Sequence, residues 1–175
     1  MTGMDGDRPG RRILVAYASK MGATKEIAEV IGDTLVAAGH QVTTRAAAEV
    51  MDLAPYDVVV LGSAIYLTRW RGEAVRFLRR HRAALSTRDV LLFHSGPCGD
   101  RDAARQLPLP SKVRRLADRI GAAPPITFGG RLDAATARGP LARWVARGDL
   151  AGDWRDWNQI RTWAAGVAEQ LLPRA

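Results

Sequence analysis

The fold of this chain is decided by the stretch Arg12-Ile13-Leu14-Val15-Ala16-Tyr17-Ala18 and by the turn that follows it, Ser19-Lys20-Met21-Gly22-Ala23-Thr24. A continuous apolar run of this kind is typical of a strand that is buried on both faces, and therefore of a central strand in a parallel sheet. Beyond the turn, residues 25–38 carry apolar side chains at helical spacing. They predict a helix with one buried stripe, which Gly39 is placed to cap.

The same alternation of strand and helix continues along the chain. Further strands are predicted at residues 41–45, 56–61, 89–94 and 126–128, and further helices at residues 72–85 and 111–120. A last helix is predicted to begin at Asp156, which is spaced to form a capping box with Gln159. Its expected core face is Ile160, Trp163, Val167 and Leu171. This order predicts a doubly wound, three-layer α/β/α fold with five parallel strands in the order 2-1-3-4-5.

Nearly the whole chain is accounted for by this one domain, which we place at residues 12–175. Residues 1–11 are short, polar and glycine-rich, and they are predicted to be a flexible N-terminal tail. The segment of residues 131–153 fits the alternation least well, and a short helix is predicted within it around residues 141–145. The length of 175 residues is sufficient for one sizeable core.

The composition is that of a globular protein in a reducing compartment. Hydrophobic residues make up 47% of the chain and charged residues 25%, both ordinary values. The single cysteine, Cys98, can form neither an internal disulfide nor a cysteine-based metal site, which suits a cytoplasmic protein. No apolar run approaches the length of a transmembrane helix, and no metal-ligand spacing, nucleophile elbow or catalytic triad is present.

The net charge of +8 has two interpretations. One is attraction to an anionic membrane face, a nucleic acid or an acidic substrate. The other is that arginine is simply frequent throughout the chain. No block of five like charges exists, and the doublets Arg11-Arg12, Arg79-Arg80 and Arg114-Arg115 are dispersed. The dispersal favours the second interpretation. We expect no nucleic-acid partner, and contact with the inner face of a membrane stays open.

The predicted strand order also predicts where a ligand binds. In an open parallel sheet, ligands lie beyond the carboxyl ends of the strands at the point where the strand order reverses. Here those ends are residues 19–24, 62–70 and 95–99. The amides and two hydroxyls of the first loop, with the positive end of the following helix, suit a phosphate group. The loop is neither a Walker loop nor a three-glycine dinucleotide fingerprint, and a capped turn without any ligand explains it equally well.

A family resemblance strengthens the phosphate interpretation. Residues 17–28 resemble the FMN-phosphate loop and first helix of the flavodoxin family. The closest likeness is to the branch that contains menaquinone-dependent protoporphyrinogen IX dehydrogenase. Residues 59–66, the loop with Gly96 and Gly99, and the ending at residues 153–160 are similar to that branch. The porphyrinogen enzymes of the branch carry a long insertion before the last strand, whereas residues 101–125 here are a modest, proline-interrupted stretch.

The resemblance implies FMN as the cofactor and assigns residues to it. Its phosphate would be held by Ser19, Met21, Gly22, Ala23 and Thr24, and Lys20 of the same loop is also assigned to cofactor binding. Its ring would be flanked by Ser63, Ala64, Ile65, Tyr66, Ser95, Gly96, Pro97, Cys98 and Gly99. Tyr66 and Trp70 carry flat aromatic faces that suit stacking on the ring, although Trp70 could equally pack at the start of its helix. No catalytic side chain and no metal are expected, because the flavin carries the chemistry.

Three further residues near this edge have two interpretations each. His94 ends a strand that points at the site, and it is either a partner of the flavin or a hydrogen-bonded histidine of the core. Arg69 and Arg71 border the same opening, where they either neutralise a substrate carboxylate or quinone oxygen, or are solvated at a helix start.

Two classes of function follow from the resemblance. The first is an FMN-dependent oxidoreductase that passes electrons to a quinone or oxidises a porphyrinogen. The second is a non-enzymatic flavodoxin that carries electrons between proteins. Typical flavodoxins are acidic, so the net charge of +8 favours the enzyme. A third hypothesis keeps the fold and replaces FMN with a deazaflavin coenzyme.

Overall fold

The computed structural model describes residues 10–96, 106–133, 135, 139, 140, 143 and 151–172. Residues 1–9 of the predicted tail lie outside this part of the chain. So does the helix predicted around residues 141–145, apart from Arg143, whose amide donates to the carbonyl of Gly139 at 3.0 Å.

The strands of the structure are β1 (Arg12–Ala18), β2 (Gln41–Ala46), β3 (Val58–Tyr66), β4 (Arg69–Trp70), β5 (Asp89–Ser95), β6 (Ile126–Phe128), β7 (Arg131–Leu132) and β8 (Gly152–Asp153). The helices are α1 (Ala23–Ala37), α2 (Gly72–Arg80), α3 (Arg82–Leu85), α4 (Ser111–Ile120) and α5 (Trp157–Leu171), with a 3₁₀ turn at Ala47–Glu49. None of the helices among the described residues combines the length and apolarity that a membrane span requires.

The central sheet has the predicted topology. Its parallel strands lie in the order β2-β1-β3-β5-β6, which is 2-1-3-4-5 when the parallel strands alone are numbered. The register pairs Ile13 with Val58, and Val59 with Val90. The predicted α/β fold and strand order are therefore confirmed.

The two faces of the sheet are covered by different helices, which gives three layers. On one face, alternate strand residues such as Leu14 and Leu61 pack under α2, α3 and α4. On the other face, Ile13 and Phe93 pack under α1 and α5. Residues 13–16 of β1 are wholly buried, as expected for a central strand with both faces covered.

Helix boundaries follow the predicted capping residues. Gly39 adopts φ +92° after α1, and its amide donates to the carbonyl of Val36 at 2.9 Å. The amide of His40 donates to the carbonyl of Leu35 at 3.2 Å, which completes a Schellman motif. At the start of α5, the Asp156 carboxylate accepts from two backbone amides, at 2.9 and 3.0 Å. The predicted cap at Gly39 and the N-cap role of Asp156 are confirmed, while no hydrogen bond from the Gln159 side chain completes the capping box among the described residues.

The predicted end of the strand at residues 56–61 was wrong. That strand was expected to stop at residue 61, but β3 continues through Gly62 to Tyr66. Leu67 and Thr68 then form a two-residue turn with φ of 45° and 61°, and β4 returns antiparallel with Trp70 opposite Ile65. Gly62 resembled a strand end, yet it lies inside β3. A glycine is needed at this position because the Phe93 ring occupies the space that a side chain would take.

Two other features were not predicted. The helix expected over residues 72–85 is broken at His81, whose Nε2 lies 3.3 Å from the carbonyl oxygen of Val50. The apolar spacing continues through the break, so periodicity alone could not reveal it. The short antiparallel pair of β7 and β8 was also missed, because each strand has only two residues.

Gly62 supplies a test of this packing. A Cβ atom on Gly62 would lie 1.9 Å from Cζ of Phe93. We expect Gly62→Ala to lower the free energy of unfolding by about 3 kcal/mol, because either the ring or the strand must move. Urea denaturation measures the change.

Gly166 in α5 is the matched control, since a Cβ atom there meets nothing within 4 Å. Gly166→Ala should raise the free energy of unfolding by about 0.5–1 kcal/mol through helix propensity. Equal stability of Gly62→Ala and the unaltered chain would contradict the packing of Phe93 over β3.

Candidate functional site

Three segments meet at the carboxyl edge of the sheet, where the strand order reverses between β1 and β3. They are the loop between β1 and α1, the hairpin of β3 and β4, and the end of β5.

The loop before α1 leaves the first turn of that helix open. Gly22 adopts a left-handed conformation with φ +88°, and its amide donates to Oγ of Ser19 at 3.0 Å. The first intrahelical bond runs from the amide of Glu26 to the carbonyl of Gly22 at 3.0 Å. No side chain of the described residues caps this end of α1, in contrast to Asp156 at α5. The amides of residues 23–25 are therefore available to an anion at the positive end of the helix.

A buried hydrogen bond connects the loop to β5. The hydroxyl groups of Thr24 and Ser95 lie 2.7 Å apart, and both side chains are buried. The Thr24 hydroxyl, which the sequence suggested for a phosphate, is thus engaged inside the protein in this structure. Its contact fixes the start of α1 against the end of β5.

The hairpin contacts the same loop from the other side. The Tyr66 hydroxyl donates to Sδ of Met21 at 3.5 Å, and Nζ of Lys20 lies 5.4 Å from the centre of the Tyr66 ring. Ile65 faces Gly96, where a Cβ atom would lie 3.2 Å from the Ile65 carbonyl oxygen. Gly96 has φ +128° and donates its amide to the carbonyl of Phe128 at 3.2 Å. The structure thus gathers all three segments, as far as they are described.

An ion cluster beside the loop was missed by the sequence reasoning. Glu26, in the first turn of α1, pairs with Arg131 at 3.0 Å and with Arg155 at 2.6 Å. The Arg131 guanidinium also lies 3.5 Å from the carbonyl oxygen of Met21. The available signal was the position of Arg131 just after the last core strand, since that edge of the sheet carries the site.

Arg155 holds this cluster in place. Its side chain is only 3% exposed, and its guanidinium lies 4.5 Å from the centre of the Trp157 ring. A bidentate contact with Asp153 raises the pKa of Arg155 and lowers the pKa of the Asp153 carboxyl. The contact thus favours the charged forms of Arg155 and Asp153. Within the cluster, Arg131 is the member next to Gly22.

Two predicted site residues lie inside the core. Trp70 is 6% exposed, and its indole N–H donates to Nδ1 of His94 at 3.2 Å. His94 is fully buried, with Nε2 2.8 Å from Oγ1 of Thr127. Since Nδ1 accepts, the neutral ring carries its proton on Nε2 and donates it to Thr127. Burial lowers the pKa of His94 to about 4. This geometry supports the second interpretation of His94, as a hydrogen-bonded core histidine.

The two arginines at the opening differ in their contacts. The Arg71 guanidinium pairs with Glu73 at 2.8 Å, and its backbone amide donates to Oγ of Ser63 at 3.0 Å. Arg69 is exposed on β4, opposite Tyr66, and forms no ion pair within the described part of the chain. Pro97, Cys98 and Gly99 of the predicted site lie outside the described residues.

Comparison with known proteins agrees with this architecture. The family described as "Flavodoxin domain" matches residues 14–136, which is more than half of the chain. The chain belongs to the flavodoxin domain family. The match includes β1 from Leu14 onward, the loop before α1, the hairpin and the end of β5. No curated protein matches the chain.

Several solved structures share the flavodoxin fold of this chain. A flavodoxin from the domain Archaea superposes with a TM-score of 0.62 at 14% identity, over 91% of this chain and 98% of the other. Flavodoxin 2 from Bacillus cereus superposes with a TM-score of 0.56 at 24% identity, over 91% of this chain and 99% of the other. Rubredoxin oxygen:oxidoreductase from Desulfovibrio gigas gives 0.62 at 14% identity, over 93% of this chain and 36% of the other. At these identities the likeness concerns the fold alone.

The buried His94 generates a pH-dependence of stability. Its pKa is lower in the folded protein than in the unfolded chain, so the unfolded chain binds more protons as the pH falls. The contribution of neutral His94 to the free energy of unfolding is fully present above about pH 6.5 and is lost progressively toward about pH 4. We expect the free energy of unfolding to fall by about 2 kcal/mol on account of His94 when the pH is lowered from about 7.5 to about 5, as measured by urea denaturation.

His94→Gln keeps a donor and an acceptor but does not titrate. The pH-dependence of its unfolding free energy should be shallower than that of the unaltered chain by the same amount, since all other groups are common to both. Identical pH profiles for the two proteins would show that His94 is not held neutral by burial.

Proposed function

We propose that this flavodoxin-domain protein is an FMN-binding oxidoreductase. The observation that carries the proposal is the open first turn of α1 behind the left-handed Gly22, placed where the strand order reverses. In the proposal the phosphate lies against Ser19, Lys20, Met21, Gly22, Ala23 and Thr24. The flavodoxin domain family is a flavin-binding family, which supports the same assignment.

The space above the loop fits a phosphate. A Cβ atom on Gly22 would find only Nη2 of Arg131 at 3.7 Å and Oε1 of Glu26 at 3.8 Å. Leaving aside Gly22 itself and its chain neighbours Met21 and Ala23, no other heavy atom of the described residues comes within 4 Å of that point. A phosphate can therefore approach the backbone of Gly22 directly, with a guanidinium beside it.

The ion cluster of Glu26, Arg131 and Arg155 sets the charge beside the loop. Glu26 alone would repel a phosphate from the first turn of α1. Arg131 and Arg155 both pair with Glu26, so the anion is compensated before any ligand arrives. Arg131 is the cation nearest to Gly22, and we assign it the role of attracting the phosphate.

The ring of FMN is proposed to lie between the hairpin and the end of β5. The proposed contacts are Ser63, Ala64, Ile65, Tyr66, Ser95, Gly96, Pro97, Cys98 and Gly99. Tyr66 is the aromatic candidate, because the Trp70 ring is buried and bonded to His94. When bound, FMN would supply electron transfer in steps of one or two electrons, while the protein positions it and excludes water.

The substrate class is proposed from the same rim. Arg69 is exposed opposite Tyr66 and has no ion-pair partner among the described residues, so it could bind a porphyrinogen carboxylate or a quinone oxygen. Because His94 is buried and held neutral, we assign it no proton-transfer role. The alternatives are an electron carrier without a substrate of its own, and a deazaflavin in place of FMN.

Gly22→Val tests the cofactor assignment. Valine strongly disfavours φ +88°, and its side chain would occupy the position of the phosphate. We expect FMN to bind the unaltered chain, with quenching of the flavin fluorescence on binding. We expect no binding of FMN to the Gly22→Val variant. The circular dichroism spectrum of the variant serves as the check on folding.

Arg131→Gln and riboflavin make this test specific for the phosphate. Arg131→Gln should weaken FMN binding about five-fold and leave riboflavin binding unchanged, because riboflavin has no phosphate. Unchanged FMN affinity in Gly22→Val would refute the loop assignment. A deazaflavin coenzyme that binds while FMN does not would replace the cofactor and keep the loop.

Turnover separates the enzyme from the carrier. We expect the FMN-loaded protein to oxidise protoporphyrinogen with a menaquinone analogue as acceptor, measured by porphyrin fluorescence. Arg69→Ala should raise the KM for the porphyrinogen about five-fold with little change in kcat, because it removes one charge contact. Absence of porphyrinogen turnover together with rapid electron delivery to a haem protein would favour the carrier.

A further inference from the structure

A basic groove lies on the outer face of the α2, α3 and α4 layer. Its volume is about 720 Å³, and its floor includes Ala83 and Leu116. Its walls carry six cationic side chains from all three helices, namely Arg79, Arg80, Arg82, Lys112, Arg115 and Arg119. We call this surface the basic groove.

The charges of the basic groove have no ion-pair partner among the residues that the structure describes. All six cationic residues are exposed, and none of them forms an ion pair within the part of the chain that the structure describes. The polar contact found for them is that of Arg80 with Sδ of Met51, at 3.9 Å. Like charges that converge without partners repel one another, and an anionic ligand relieves that repulsion.

The geometry of the basic groove suits an elongated ligand. Lys112, Arg115 and Arg119 stand at positions i, i+3 and i+7 on one face of α4, and they extend over about 10 Å. Arg79, Arg80 and Arg82 form the opposite wall. A polypeptide segment with carboxylates on both sides would meet guanidinium groups on both walls.

Neighbouring residues favour a protein over other polyanions. Met51 is 68% exposed beside Arg80, and methionine and arginine are both enriched in protein interfaces. Asp52 and Asp118 are exposed in the same surface segments, so the positive region is confined rather than extended. A phosphodiester chain needs a longer basic track, and no aromatic residue lines the groove for base stacking.

A membrane surface fits less well for a related reason. Among the described residues that line the groove, the apolar ones are Ala83 and Leu116. Stable attachment also requires an apolar face or a lipid anchor in addition to basic residues. Leu116, on the groove floor, is 9% exposed and cannot insert into a bilayer.

We propose that the basic groove binds an acidic segment of a partner protein. The inference rests on the groove alone and is independent of the flavin. α2 begins two residues after the hairpin of the candidate site, so a partner in this groove contacts the helix that leads away from that site.

Binding of a fluorescently labelled oligoglutamate peptide tests the proposal. We expect the full chain to bind the peptide at low ionic strength, with anisotropy as the readout. Arg115→Glu/Arg119→Glu should weaken binding at least about ten-fold, because two attractions become two repulsions on one wall. In NMR spectra, the backbone amide chemical shifts that change on addition of the peptide should cluster at residues 79–83 and 112–119.

Arg45→Glu/Arg161→Glu is the matched control, since it reverses two exposed charges elsewhere and carries the same net charge. It should weaken binding less than about two-fold. Equal losses in the two variants, or no binding by the unaltered chain, would overturn the proposal. So would groove-dependent binding of a short DNA duplex or of phosphatidylglycerol vesicles that is tighter than binding of the peptide.

Discussion

Burial of β1 on both faces is the constraint on which the rest of the structure depends. Residues 13–16 are wholly buried, with β2 on one side of the strand and β3 on the other. Because the chain leaves β1 to build β2 and later returns to build β3, the strand order reverses at this point. The loop after β1 therefore lies at the position where an open parallel sheet binds its ligands. The central strand that organises the core thus also locates the candidate site.

The site itself depends on contacts between segments that are distant in the chain. The hydroxyls of Thr24 and Ser95 meet across 71 positions, and Arg131 pairs with Glu26 across 105. These contacts hold the first turn of α1 in a defined position, while no side chain in the described part of the chain caps it. An open helix end in a fixed frame is the arrangement that favours an anion, since its amides need little reorganisation on binding.

Charge shows how sequence distance can mislead. The doublets at residues 79–80 and 114–115 are separated by more than thirty positions, and on that ground they appeared dispersed. Packing of α2 and α3 beside α4 brings Arg79, Arg80 and Arg115 to one groove. Charge density on a surface follows from helix packing, and a linear count of neighbours cannot reveal it.

Local patterns in the sequence alone determined the five parallel strands, most of the helices and their order. The apolar run of β1, the cap at Gly39 and the cap at Asp156 act over a few residues, so they could be read without a structure. The extension of β3 through Gly62 could not be predicted, because the ring that explains the glycine belongs to Phe93, on another strand. For the same reason, only the tertiary structure placed Trp70 and His94 in the core and Arg131 beside the loop. Hydrophobic periodicity is a local property of the chain, whereas the contacts of a side chain depend on which distant segments pack against it.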